Sequence, residues 1–233
     1  MNNNYNDLKE AVENVDPRKQ LKPSQYVTFE GLENNGLRVL FLGNSITLHG
    51  VLPEIGWHNA WGMAASAKEK DYVHICYSHI QKTHPEASFC ICQGAVWERD
   101  YKKGEDYFSR FQGARDYDAD VIITKLSANT YPQEYVEALY IEEFGKLVDF
   151  LNKSGRAKMI VCTEFFMHPA REALIKFAEN RGYSLCDLSD LGSMDEMKAM
   201  GLFEHEGVAA HPGDLGMKTI AERICEKFDK LNL

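Results

Sequence analysis

No run of apolar residues in this 233-residue chain approaches the roughly 20 that a bilayer-spanning helix needs. The opening stretch Met1-Asn2-Asn3-Asn4-Tyr5-Asn6-Asp7 is polar and lacks the apolar core of a secretory signal, so the expectation is a cytoplasmic protein. Basic residues are in short supply. Twenty-six Lys and Arg stand against 35 Asp and Glu, for a formal net charge of -9. A surface of that sign repels phosphate backbones and anionic lipid, which argues against nucleic-acid and membrane partners and leaves neutral small molecules open. The six cysteines (Cys76, Cys90, Cys92, Cys162, Cys186 and Cys225) are scattered. Cys90 and Cys92 share one face of a strand, but no second Cys/His pair with ligand spacing accompanies them, so buried thiols are expected and no metal site. Internal repeats, low-complexity tracts and a glycine-rich phosphate-binding fingerprint are all missing.

What is present is a core. Hydrophobic residues make up 44% of the chain, enough for one sizeable domain. Residues 1–36 are polar and irregular, broken by Pro17, Pro23 and Asn34-Asn35-Gly36, and read as an N-terminal extension to a domain spanning 37–233. Five strand-like runs follow, at 38–42, 87–92, 120–126, 158–163 and 183–186. Between and after them lie helical segments at 61 to about 83, 132–152, 169–180 and 214–230, with Gly182 placed to end the third and Asp214 to cap the last. Strands alternating with helices imply parallel pairing. The expected fold class is therefore α/β, a three-layer α/β/α sandwich around a central, mainly parallel five-stranded sheet of flavodoxin-like type. Such sheets place their binding sites beyond the carboxyl ends of the strands.

The polar candidates fall on that edge. Ser45 follows the first strand in Leu40-Phe41-Leu42-Gly43-Asn44-Ser45-Ile46-Thr47, where a hydroxyl can be held out of the core. Asn129 follows the third strand, and Glu164 and His168 follow the fourth. Far downstream, Ala210-His211-Pro212-Gly213-Asp214 places a histidine before a helix. A serine near the start and a histidine near the end are the minimum parts of a serine hydrolase. Each has a plain structural reading beside it: Ser45 as a helix N-cap, His211 as a loop residue, Asn129 as a turn former, and Glu98-Arg99-Asp100 as a solvated face.

Gly43-Asn44-Ser45-Ile46-Thr47 resembles the first motif of the SGNH hydrolases, the GDSL esterase/lipase family, with Asn44 where Asp is usual. Gly94 resembles the glycine of the second motif. Leu126-Ser127-Ala128-Asn129 resembles the third, with Ser127 for Gly and Thr130 for Asp. His211-Pro212 resembles the last. The resemblance covers about residues 37–230 and implies a cofactor-free ester hydrolase in which Ser45 attacks and His211 relays the proton. It implies an oxyanion hole of the Ser45 N–H, the Gly94 N–H and the Asn129 amide, with a deacetylase acting on a small or carbohydrate-linked acetyl ester as the leading expectation. The family's acid lies three residues before the histidine, where this chain has Val208. Glu206 is the first substitute, ahead of Glu204, Asp214, Glu164 or a backbone carbonyl. Asn44, Trp97 and His168 are the candidate substrate contacts. An inactive hydrolase-like binding protein, supported by Val208, Ser127 and Thr130, competes with this reading. A flavodoxin-like phosphate binder is the weaker third.

Overall fold

In the computed structural model the described residues are 16–104 and 106–233. The first fifteen residues of the expected extension lie outside them, as does the Met1–Asp7 segment. Strands β1 (Val27–Glu30), β2 (Arg38–Gly43), β3 (Ser88–Gln93), β4 (Val121–Lys125), β5 (Lys158–Cys162) and β6 (Ser184–Cys186) form one sheet in the order β1-β3-β2-β4-β5-β6. All neighbours are parallel except β1, which runs antiparallel to β3 with Val27 opposite Cys92. The helices are α1 (Pro17–Gln20), α2 (Tyr72–Ile80), α3 (Ala95–Asp100), α4 (Gln112–Tyr117), α5 (Glu137–Leu151), α6 (Ala170–Arg181), α7 (Glu206–Ala209) and α8 (Asp214–Phe228). Helix α2 packs on α8 and α5 packs on α6, so that the sheet is covered by helices. β3 and β4 are buried along their whole length, and β2 along all but its first residue. This is why they appear in the sequence as continuous apolar runs rather than alternating ones.

The three-layer α/β architecture is as expected, but the sheet has six strands rather than five. The sixth, β1, comes from the segment read as an extension. It is short and only partly buried, so it carries no apolar run among the surrounding breakers. The helical stretch expected from Trp61 narrows to α2. Residues 61–66 instead form a loop in which Ala64 takes a left-handed backbone, φ 75°. Gly182 ends α6 as expected, also left-handed, at φ 66°. Gly213, not Asp214, stands at the α8 N-cap. The Asp214 carboxylate instead accepts from the Ser66 N–H at 2.9 Å and the Ser66 hydroxyl at 2.7 Å. No helix among the described residues is long and apolar enough to cross a membrane.

The sheet order fixes where a site can form. From β2 the chain moves outward to β3, then returns to β4 on the other side of β2. Connections therefore diverge at β2 and β4 and leave a crevice beyond their carboxyl ends.

Candidate active site

Strand β2 ends at Gly43, where a Cβ would lie 1.8 Å from Thr47 Oγ1, so only glycine lets the chain fold back this tightly. The Asn44 carbonyl accepts from Thr47 N at 2.9 Å and from Leu48 N at 3.0 Å, closing a turn with Ser45 at its crest. The Ser45 carbonyl accepts from Met63 N at 2.9 Å, which ties the crest to the left-handed loop. The Ser45 N–H has no acceptor among the described residues.

Ser45 Oγ lies 2.8 Å from His211 Nε2. The other ring nitrogen, Nδ1, lies 2.6 Å from the Gly207 carbonyl. A carbonyl can only accept, so Nδ1 carries the proton, Nε2 offers its lone pair, and the Ser45 hydroxyl donates to it. Burial, together with the nearby His49, Lys125 and His205, pulls the His211 pKa down to about 3 against the opposing bond to Gly207. The resting imidazole is therefore neutral, with its Nε2 lone pair facing the Ser45 hydroxyl. Both residues are buried, with 5% of Ser45 and 7% of His211 exposed.

The structure does not bring Glu206 to this ring. Glu206 begins α7 with its side chain exposed, and the partner on Nδ1 is the carbonyl of its neighbour Gly207. Val208, in the family's acid position, is fully buried with Trp57, Met63, Ala64 and Ala199. That apolar cluster seats the short α7 turn, and the turn aims Gly207 O, four residues back, at His211. Of the other acids considered, Asp214 is bonded to Ser66 and Lys70, and Glu164 lies in the network described next.

Directly behind Ser45 is a network of charged groups, all without solvent exposure. Asn44 Nδ2 donates to Glu98 Oε1 at 3.1 Å and to Glu164 Oε2 at 2.7 Å, while Asn44 Oδ1 accepts from Lys125 Nζ at 3.2 Å. Lys125 Nζ also pairs with Glu164 Oε1 at 2.6 Å. An aspartate at position 44 would set a third carboxylate between two others and offer them no N–H, which accounts for asparagine here. Glu98, expected on a solvated face, is fully buried and accepts from Ser127 N, Asn129 N, Asn129 Nδ2 and Asn44 Nδ2. Burial and the nearby Glu164 raise its pKa to about 7 against those bonds.

The remaining expected residues separate. Asn129 joins the network behind Ser45 through Glu98: one Nδ2 proton goes to Glu98, and the second has no acceptor among the described residues. The Gly94 N–H is not free, because it donates to the Gly43 carbonyl at 2.6 Å as a continuation of the β2–β3 ladder. The three expected substrate contacts are interior. Asn44 belongs to the charged network. Trp97 packs among Tyr101, Tyr140 and Phe144 in the core. His168 uses both ring nitrogens, with Nε2 2.9 Å from the Thr130 carbonyl and Nδ1 accepting from Ala170 N at 3.1 Å, and its burial lowers its pKa to about 4. Sequence reasoning missed Lys125, Glu98 and Gly207. Of these only Lys125, a lone charge ending a buried apolar strand, left a signal.

No protein-family model matches the chain, and no curated protein sequence matches it. Solved structures do. A two-domain esterase (CEX) active on acetylated mannans superposes with TM-score 0.51 at 19% identity, covering 83% of this chain and 49% of its own, so this chain spans about half its length. A family two carbohydrate esterase from Clostridium thermocellum, in complex with cellohexaose, gives 0.55 at 14% identity, covering 83% of this chain and 63% of that one. A G-D-S-L family protein from Desulfitobacterium hafniense DCB-2 gives 0.50 at 14% identity, with 82% and 98% covered. The fold is that of the SGNH hydrolases, as the resemblance implied.

Proposed function

We propose that this protein is a serine ester hydrolase that works through a Ser45–His211 pair with the Gly207 carbonyl in place of an acid. The observation that carries the reading is the 2.8 Å contact between Ser45 Oγ and an Nε2 whose tautomer is fixed from the far side of the ring. His211 takes the Ser45 proton as Oγ attacks the ester carbonyl carbon. The Ser45 N–H and the second Asn129 Nδ2 proton meet the oxyanion, and each such donor is worth on the order of 3 kcal/mol in the transition state. The C–O bond breaks, His211 returns the proton to the departing alcohol, and water releases the acyl group by the same route. No cofactor enters. The carbohydrate esterases among the fold neighbours favour an acetyl group on a sugar or small alcohol. Six buried, unpaired thiols suit a reducing compartment such as the cytoplasm.

The test is Ser45→Ala with a short-chain nitrophenyl ester. Turnover is expected to fall on the order of 1000-fold or more, and a fluorophosphonate probe is expected to label the wild type and not the variant. The occupied Gly94 N–H favours one competitor, a binding protein that has lost turnover. It predicts no adduct at Ser45 together with ligand-dependent thermal stabilisation.

A further inference from the structure

Gln20 ends α1, the first described helix, and is 2% exposed although it comes from the segment read as an extension. One residue ties together three loops at the carboxyl edge of the sheet. Its carbonyl accepts from Gly50 N at 2.7 Å, in the loop after Ser45. Its side-chain Oε1 accepts from Gln93 Nε2 at 2.7 Å, at the end of β3. Its Nε2 donates to Asn129 Oδ1 at 3.1 Å, after β4.

These bonds form a chain with one direction. The Ala95 N–H donates to Gln93 Oε1 at 3.2 Å, and a backbone N–H cannot do otherwise. Gln93 then donates to Gln20, Gln20 to Asn129, and Asn129 to the Glu98 carboxylate. A fixed donor at one end and an acceptor at the other leave each amide a single orientation. Turning the Asn129 amide over would set its Oδ1 against Glu98 and its Nδ2 against Gln20 Nε2, like against like at both ends. Such buried mismatches leave polar groups unmet at both ends of the amide and disfavour the turned-over form. Aligned amides also polarise one another, which strengthens the last N–H.

We propose that Gln20 is a positioning residue that holds the Asn129 amide with an N–H, not a C=O, available to the reacting carbonyl. The inference rests on the hydrolase reading above and deepens it, since it makes the N-terminal strap part of the site. It is tested by a double-mutant cycle on nitrophenyl acetate. Gln20→Ala is expected to lower kcat ~10-fold with KM within about twofold, and Asn129→Ala to lower it ~100-fold. The double variant is expected to be no slower than Asn129→Ala alone, because Gln20 has nothing left to orient. A merely structural role predicts that the two losses multiply. Gln20→Met keeps the stem and removes both amide bonds. It is assayed in parallel, with a cooperative melt required of each protein, and is expected to match Gln20→Ala. Multiplied losses, or an unchanged kcat in the single Gln20 variants, overturn the role of Gln20 while leaving the hydrolase intact. Absence of Ser45-dependent turnover in the wild type overturns both.

Discussion

Two polar clusters lie back to back at the carboxyl edge of this sheet, and they are built on opposite terms. The front cluster, Ser45 and His211, is neutral and held by backbone groups, and the Ser45 N–H beside it has no acceptor among the described residues. The rear cluster, Asn44, Glu98, Lys125 and Glu164, is charged, sealed from solvent and densely hydrogen-bonded. On the proposed reading, the difference separates chemistry from support. A group that must exchange a proton or greet an oxyanion needs a free lone pair or a free N–H, and the Ser45 N–H in front is such a group among the described residues. A group that fixes geometry does so by having every lone pair engaged, and that is the condition of Glu98. The costs divide in the same way. Buried ions gain little net stability over apolar packing, yet removing one partner strands the other.

The largest effect expected from breaking this contrast is on the rear. Lys125→Met leaves the Glu164 carboxylate buried beside Glu98 with its cation gone, and should cost about 3–5 kcal/mol of stability. Urea unfolding measures it. Neutralising both partners, as Lys125→Met with Glu164→Gln, should recover a good part of the loss. An unchanged midpoint in the single variant would mean that the network is open to water. Ser45→Ala marks the opposite pole, with a large loss of turnover and little change in that midpoint.

The sequence made the front far more legible than the rear. Ser45 and His211 sit in local patterns, a strand running into Gly-Asn-Ser and a His-Pro before a helix, and local patterns survive in one dimension. Glu98 lies in Glu98-Arg99-Asp100, where the alphabet alone suggests a wet surface. It is dry because α3 is short and turns this residue toward the end of β4, a fact of tertiary placement. Gly207 is invisible for a different reason, since it contributes its backbone. Gln20 failed on both counts, being a lone polar residue in a segment without periodicity. The sheet itself was readable through the fully buried β2, β3 and β4, and β1 was not, because a half-exposed edge strand of four residues has no apolar run to show.

A smaller effect should appear in the pH profile, and it bears on which cluster titrates. His211 is neutral down to about pH 3, so its protonation in the free protein lies well below the usual histidine range. Glu98 titrates near 7 instead, facing Asn44, Asn129, the Ser127 N–H, Glu164 and Lys125. Protonating it occupies a lone pair that a donor now uses, and the Asn129 amide loosens. The acid limb of kcat/KM should therefore fall near pH 7. The sign for stability is the reverse. The folded pKa of Glu98 lies above its ordinary 4.5, so this group alone favours the folded state at low pH and loses that contribution as pH rises from about 4.5 through 7. Glu98→Gln should run ~10-fold slower but lose that limb, and a limb that persists in the variant would assign it elsewhere.

The smallest expected effect tests the front most sharply. Glu206→Gln removes the carboxylate nearest in sequence to the group that holds His211, and it should change kcat/KM by less than about twofold, the scale of a screened surface charge. The contrast with a true acid partner is wide, because replacing the aspartate of a Ser-His-Asp site by its amide costs about 10⁴-fold by presenting the wrong tautomer. Here the tautomer is set by the Gly207 carbonyl, which no side-chain change at 206 alters, and Val208 keeps the turn seated from below. A large loss in Glu206→Gln would move the acid back to that side chain and require α7 to rotate before reaction. An unchanged rate beside an inactive Ser45→Ala would leave the carbonyl as the only partner that His211 uses.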